Sequence, residues 1–228
     1  MNNADAVSYF AFQLGPLSIS HTVLTTWGIM LVFILSALLL KQSPQWQNLL
    51  ETIIESMFAA ISEVIPNSVA DRIFPFVATL WLFVLAANLV GLIPEMHSPT
   101  SDISATAALA VLVFFASHWF GVTYLGIRKH LRHYLEPSIV LMPFHILSEF
   151  TRTLALAIRL FGNIMSLEMA VLLVLFIAGF LVPVPLLVLH VIEAVVQAYI
   201  FGMLALIYIA GALEGIDSES NQNAEEKP

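Results

Sequence analysis

Arg159, Asn163 and Glu168 stand inside the largely apolar stretch LAIRLFGNIMSLEM at residues 156–169. Glu149 and Arg152 precede them on the same run, and His190, Glu193 and Gln197 punctuate the next one. Carboxylates and imidazoles can take up and release a proton or hold a cation. A guanidinium cannot be titrated away, so it can only attract anions and repel cations. Each such group costs about 3 kcal/mol at the centre of a lipid-embedded helix by insertion scales. This many in two runs needs a wet route or partners, and the chemistry they suit is the movement of ions.

Spacing sorts the candidates. Steps of three, seven and four put Glu149, Arg152, Arg159 and Asn163 on one helical stripe. Glu168 comes nine residues after Arg159 and points nearly the opposite way, toward a different neighbour. At about 1.5 Å per residue, Glu149 lies roughly 15 Å to one side of Arg159 and Glu168 roughly 13 Å to the other. His190, Glu193 and Gln197 share a face of the next run. If the two runs form an antiparallel hairpin, His190 and Glu193 come level with Glu168, and Gln197 falls deeper, toward Arg159. For Glu149 with Arg152, a structural ion pair is an equally good reading. Asp102 is either a solvated loop residue or part of an outer vestibule. His21 and His118 read as interfacial or core histidines, His97 as a solvated loop residue, and Asn88 as a helix–helix hydrogen bond.

Other chemistries fit poorly. His190 and Glu193 have ligand-like spacing, but no second histidine lies near in sequence, so no metal site is expected. There is no Gly-rich phosphate loop or nucleophile elbow, hence no nucleotide site and no cofactor. The chain has no cysteine. Its formal charge is −8, with five acidic residues after position 213, which gives no basic footprint for nucleic acid.

The elements that must hold these groups are membrane spans. The 228 residues are 59% hydrophobic and 11% charged, far from the charge content of a soluble domain. Mean hydropathy is +0.91. Apolar runs of bilayer-crossing length recur near 19–40, 73–94, 103–125, 137–180 and 186–212. The fourth is too long for one straight crossing and carries Pro143, so tilt or a break is expected. Residues 43–66 show three-four apolar spacing with Glu51, Glu55 and Glu63 opposite, an amphipathic helix along the surface that packs on its neighbours. LVPVP at 181–185 reads as a turn. The fold expected is an all-α polytopic membrane protein: about five membrane-embedded helices plus one surface amphipathic helix, the last two forming a long tilted hairpin. Residues 1–213 form one membrane domain, and 214–228 an acidic disordered tail. The first 16 residues lack Lys and Arg and make a poor signal peptide, so the first span is expected to be retained.

Lys41, Arg72, Arg128, Lys129, Arg132 and Lys227 fall on one side if the spans alternate, and the opposite loops carry none. By the positive-inside rule the N-terminus lies outside and the C-terminus in the cytoplasm. A self-contained secondary transporter would show internal symmetry and paired broken helices, and neither is visible.

With these residues in place, the sequence resembles subunit a of the F-type ATP synthase membrane sector over most of its length. RLFGN at 159–163 matches the family's most specific motif, with its essential arginine at Arg159. Glu168 stands where the family carries a carboxylate, Gln197 at its characteristic glutamine, and His190 at a site that is His or Glu in different members. LWLFVLAANLVGLIP at 80–94 is similar to the family's Asn-Leu-x-Gly-Leu-x-Pro segment, and SEFTRTLALAIR at 148–159 to the approach to its arginine. Thr153 replaces a common proline and Leu167 a common glycine, departures that leave open a divergent second-copy branch such as the N-type group.

The resemblance implies a multi-pass protein of the bacterial inner membrane that works beside a ring of proteolipid c subunits and with peripheral-stalk b subunits. It implies an outer half-channel near Glu168, His190 and Glu193, and an inner one near Glu149. Arg159 would stand between them, with Asn163, Gln197 and Asp102 along the path of H⁺ or Na⁺. ATP chemistry would belong to other subunits.

Overall fold

A computed structural model describes residues 10–14, 17–40, 44–93, 96, 98–127, 142–179 and 184–213. A short antiparallel pair, β1 (Phe10–Leu14) and β2 (Leu17–Ser20), leads into α1 (His21–Leu40). Then follow α2 (Pro44–Ser62), α3 (Asn67–Val90), a 3₁₀ turn at Pro99–Ser101, α4 (Ile103–Leu125), α5 (Met142–Ala178) and α6 (Val184–Leu213). Five helices, all but α2, are long and apolar enough to cross a membrane. The expected basic stretch at 128–133, the tail at 214–228 and His97 lie outside the described residues, as does most of the expected turn at 181–185.

Local chemistry sets the ends. Pro66 precedes α3, and its carbonyl accepts the first free N–H groups, from Val69 and Ala70. Asp102 caps α4, its Oδ1 accepting the Ser104 N–H at 2.9 Å. Two glycines at positive φ, Gly126 at 79° and Gly179 at 82°, end α4 and α5, where a Cβ would be strained. Pro143 does not interrupt the long helix as expected. It is the second residue of α5, where a missing N–H costs nothing, and the helix runs unbroken for 37 residues. The β pair was not anticipated from sequence.

The helices alternate in direction, so the bundle has two ends. The near end holds the starts of α3 and α5 and the finishes of α4 and α6, and the far end holds their opposites. α6 is the hub. One apolar cluster joins it to α2 and α3 through Ile61, Ile73, Trp81, Leu206 and Ile209. A second joins it to α3, α4 and α5 through Val84, Val113, Leu160, Phe201 and Ala205. Lipid is as apolar as leucine, so close backbone approach rather than dehydration drives this packing. Ala194, Ala198, Gly202 and Ala205 supply the buried small-residue stripe on α6. A Cβ on Gly202 would run into the Trp81 indole, whose Nε1–H donates to the Tyr199 carbonyl at 3.2 Å. The outward faces carry exposed Leu, Ile, Val and Phe, as a lipid-facing surface requires. The amphipathic α2 packs its apolar side on α3, with Phe58 edge-on to Phe74, and leaves Glu51, Glu55 and Glu63 exposed.

Candidate functional site

Gly91, just past the end of α3, is the meeting point of the far end. A Cβ there would lie 3.2 Å from Ser98 Cβ, 3.3 Å from Glu168 Oε1 and 3.4 Å from His190 Cε1. The side chain that glycine lacks therefore makes room for a carboxylate from α5 and an imidazole from α6. His190 is buried, and its Nε2 lies 3.2 Å from the Asn88 carbonyl. A carbonyl can only accept, so Nε2–H is the donor in this bond.

The turn after α3 completes the cluster. Thr100 Oγ1 donates to Asn88 Oδ1 at 2.6 Å, and Ser98 Oγ, 2.6 Å from Thr100 Oγ1, lies 2.7 Å from the Ala87 carbonyl. Asn88, Ser98 and Thr100 are all buried. Asn88 Nδ2 and Glu168 Oε1 are also buried, yet have no hydrogen-bond partner among the described residues. Buried polar atoms are rarely left so. One spare donor and one spare acceptor in this cluster are the signature of a site built to receive something polar.

Arg159 stands apart. Nine residues before Glu168 it falls on the other side of α5, exposed, between the exposed apolar side chains Leu154, Ile158 and Met165. No carboxylate lies within ion-pair range of it among the described residues. One turn on, Asn163 Nδ2 donates to Gln197 Oε1 at 2.7 Å and ties α5 to α6 behind the arginine. Gln197 Nε2 is buried without a partner among the described residues.

The near end is looser. Arg152 Nη1 lies 3.7 Å from Glu149 Oε2, and its Cζ sits 4.8 Å from the centre of the Tyr208 ring on α6. Tyr208 lies within electrostatic reach of Arg159 as well. Glu149 thus has the ion pair that sequence spacing left as one of two readings.

Asp102 sits at the far end beside the cluster. Its Oδ2 accepts the Thr22 hydroxyl of α1 at 2.9 Å, and its Oδ1 accepts both the N–H and the hydroxyl of Ser104. Burial works to raise its pKa, but the Ser104 and Thr22 bonds outweigh that and hold the carboxyl below its ordinary value.

The structure brings Glu168 and His190 together and Asn163 and Gln197 together. Glu193 is half-buried one turn from His190, with no hydrogen bond to the cluster among the described residues. The expectation for Asn88 needs correcting: its side chain bonds the turn residue Thr100, and only its backbone carbonyl reaches α6. Ser98 and Thr100 were not singled out from sequence, and Gly91 entered only as the glycine of the Asn-Leu-x-Gly-Leu-x-Pro segment. Ser before Pro-Thr-Ser is the usual start of a tight turn, which could have flagged the first two. The motif marks Gly91 but not the close neighbours from α5 and α6 that it makes room for.

Comparison with known proteins places the chain. A profile described as the ATP synthase A chain matches residues 20–210. ATP synthase subunit a 2 of Pelobacter propionicus is 57% identical, over 94% of this chain and 96% of that protein. ATP synthase subunit a of Legionella pneumophila (strain Corby) is 52% identical, over 96% of this chain and 98% of that protein. ATP synthase subunit a 2 of a Bradyrhizobium species is 40% identical, over 95% of this chain and 99% of that protein. A lone arginine on an apolar face, an acid and a histidine that both approach Gly91, and relatives matched over nearly their whole length agree: the chain belongs to the ATP synthase A chain family.

Proposed function

We propose that this chain is the membrane stator of an ion-driven rotary ATP synthase, and that Arg159 is the fixed cation separating two half-channels. The observation that carries the reading is Arg159 itself, exposed on a membrane-length helix among apolar side chains and without a carboxylate partner among the described residues. A charge left so in lipid needs a partner from outside the chain. The carboxylate of a neighbouring rotor subunit meets that need.

The far end faces outside and the near end the cytoplasm, an orientation supported by the Lys and Arg bias of the loops. An ion reaches the cluster at Gly91, where Glu168, His190 and Asn88 present acceptor and donor atoms. It moves on to neutralise a ring carboxylate, which can then turn through lipid. On returning to the stator, the carboxylate gives up its ion toward Glu149 and meets Arg159 as an anion. The guanidinium stabilises that ionised form and repels any cation heading straight through. One charge crossing 100 mV is worth about 2.3 kcal/mol, so a direct leak would dissipate the force that turns the ring. Asn163 and Gln197 brace α5 against α6 behind the arginine, and Glu193 and Asp102 line the outer approach. The c-ring and the peripheral-stalk b subunits are the partners, in a bacterial inner membrane.

The test is ATP-driven ion pumping by the assembled complex in vesicles. Arg159→Ala should abolish it while the complex still assembles. Pumping near the parent level would refute the role.

A further inference from the structure

Two side chains cross between α3 and α6, one in each direction, and each ends on the other helix's backbone. Trp81 of α3 donates its Nε1–H to the Tyr199 carbonyl of α6 at 3.2 Å. His190 of α6 donates its Nε2–H to the Asn88 carbonyl of α3, also at 3.2 Å. Such bonds need the two backbones close together, and a glycine stands at each crossing. A Cβ on Gly91 would lie 3.4 Å from His190 Cε1, and one on Gly202 would overlap Nε1 and Cδ1 of the Trp81 indole. Gly28, Gly162 and Gly211 have nothing within 4 Å of that position and serve no such approach.

Seven residues separate Trp81 from Asn88, and nine separate His190 from Tyr199. These are roughly 10 Å and 13 Å along their helices. One contact leaves a helix free to turn and slide about it. Two contacts that far apart fix both the height and the rotation of α6 on α3. The Trp81 crossing is the firmer of the two. Its indole is 7% exposed, packs in one cluster with Ile61 and Leu206, and stacks on the Tyr199 ring at 5.9 Å. It cannot titrate, so it holds whatever the proton state of the imidazole at the other crossing.

The register of α6 matters for what it presents to α5. Gln197 lies two residues before Tyr199, roughly 3 Å away along the axis. Its Oε1 accepts from Asn163 Nδ2 at 2.7 Å, one turn past Arg159. Gly202, five residues after Gln197, lies about 140° round the helix from it. α6 therefore meets α3 on one side and α5 on another, and a shift against α3 is felt at α5. A displacement of about 1 Å is enough to break the Asn163–Gln197 bond.

We propose that Trp81, seated on Gly202, is the positioning residue that holds α6 in register and so sets Gln197 behind Arg159. The proposal rests on the stator reading above. Trp81 touches no ion and acts only through the placing of α6. A misplaced Gln197 loosens the α5–α6 contact beside Arg159, and ions then slip past the guanidinium without turning the ring.

The readout is ions pumped per ATP hydrolysed by the complete synthase in vesicles. Poor assembly lowers pumping and hydrolysis alike and leaves this ratio unchanged. Gly202→Ala puts a methyl where the indole lies and should lower the ratio about tenfold, the scale set by moving a group near the reacting centre by about 1 Å. Trp81→Leu, which removes the indole, should lower it about threefold. Trp81→Leu combined with Gly202→Ala should do no worse than Trp81→Leu alone, because both changes act through one contact. A parental ratio in Gly202→Ala would overturn the proposal, as would a combined loss equal to the product of the single losses. If Gly202→Ala does not assemble, Trp81→Leu decides alone, and a parental ratio there overturns it. Arg159→Ala in the same vesicles separates the two readings. If it blocks pumping while the Trp81 and Gly202 variants keep the parental ratio, only the positioning role has failed; if it pumps, the stator reading has failed.

Discussion

The two ends of α5 hold their carboxylates in opposite ways. Glu168 is turned into the bundle, packed at Gly91 against the buried His190, with one oxygen buried and unmatched. Glu149 lines an open groove between α4 and α5, paired at 3.7 Å with an arginine that itself leans on a tyrosine ring. The first arrangement is set by backbone and small side chains tied by short hydrogen bonds. The second is set by long, adaptable side chains. A site that must admit one ion to a defined ring position needs the former, and a site that only has to let an ion go can use the latter. In the proposed function α5 serves both, because nine residues turn a helix by about two and a half revolutions and so leave Arg159 facing outward while Glu168 faces in.

This contrast can be broken or sharpened by substitution. The largest effect after that of Arg159→Ala belongs to Glu168. Glu168→Asp withdraws the carboxylate from Gly91 and should slow ATP-driven pumping about tenfold, roughly 1.4 kcal/mol at the transition state. Glu149→Asp, at the adaptable end, should cost far less in the same vesicle assay. Equal losses would erase the distinction between the ends. Next comes Gly91→Ala. Its new methyl must push Ser98, Glu168 or His190 by a few tenths of an ångström, and a rigid site resists that at about 1–3 kcal/mol. Pumping should drop severalfold while the assembled complex keeps near-parental yield, and unchanged pumping would mean the cluster is soft.

The smallest effect lies at Asp102. Its pKa is depressed in the folded chain, so it stabilises the link between α1 and α4 above its ordinary value of 3.8. That contribution fades as pH falls below this value toward the lower folded pKa. Asp102→Asn should therefore shift thermal stability slightly at neutral pH and not at all in strong acid. A shift of the same size at both would assign the effect to something other than charge.

How much was legible beforehand depends on what kind of contact was involved. Spans announce themselves by apolar length, and α4 begins and ends where its run does, at Ile103 and Leu125. α3 starts six residues before the apolar run near 73, because Pro66 starts a helix whose first two turns carry the polar residues Asn67, Ser68, Asp71 and Arg72. A hydropathy reading discards such turns. Helical angles put Glu168 opposite Arg159, and an antiparallel hairpin of the last two runs put His190 level with Glu168. The Gly91 junction was not legible, because it depends on a turn that folds Ser98 and Thr100 back onto α3, a long-range contact without periodicity.

The central claim is that water reaches Arg159 from both sides but never passes it. A cysteine scan along α5, from Glu149 to Glu168, tests this with an impermeant thiol reagent applied to either face of vesicles carrying the assembled complex. Positions on the Glu149 side should react only from the cytoplasmic face and positions on the Glu168 side only from the other, with the boundary at Arg159. A run of positions across Arg159 that reacts from both faces would describe one continuous pore and contradict the account.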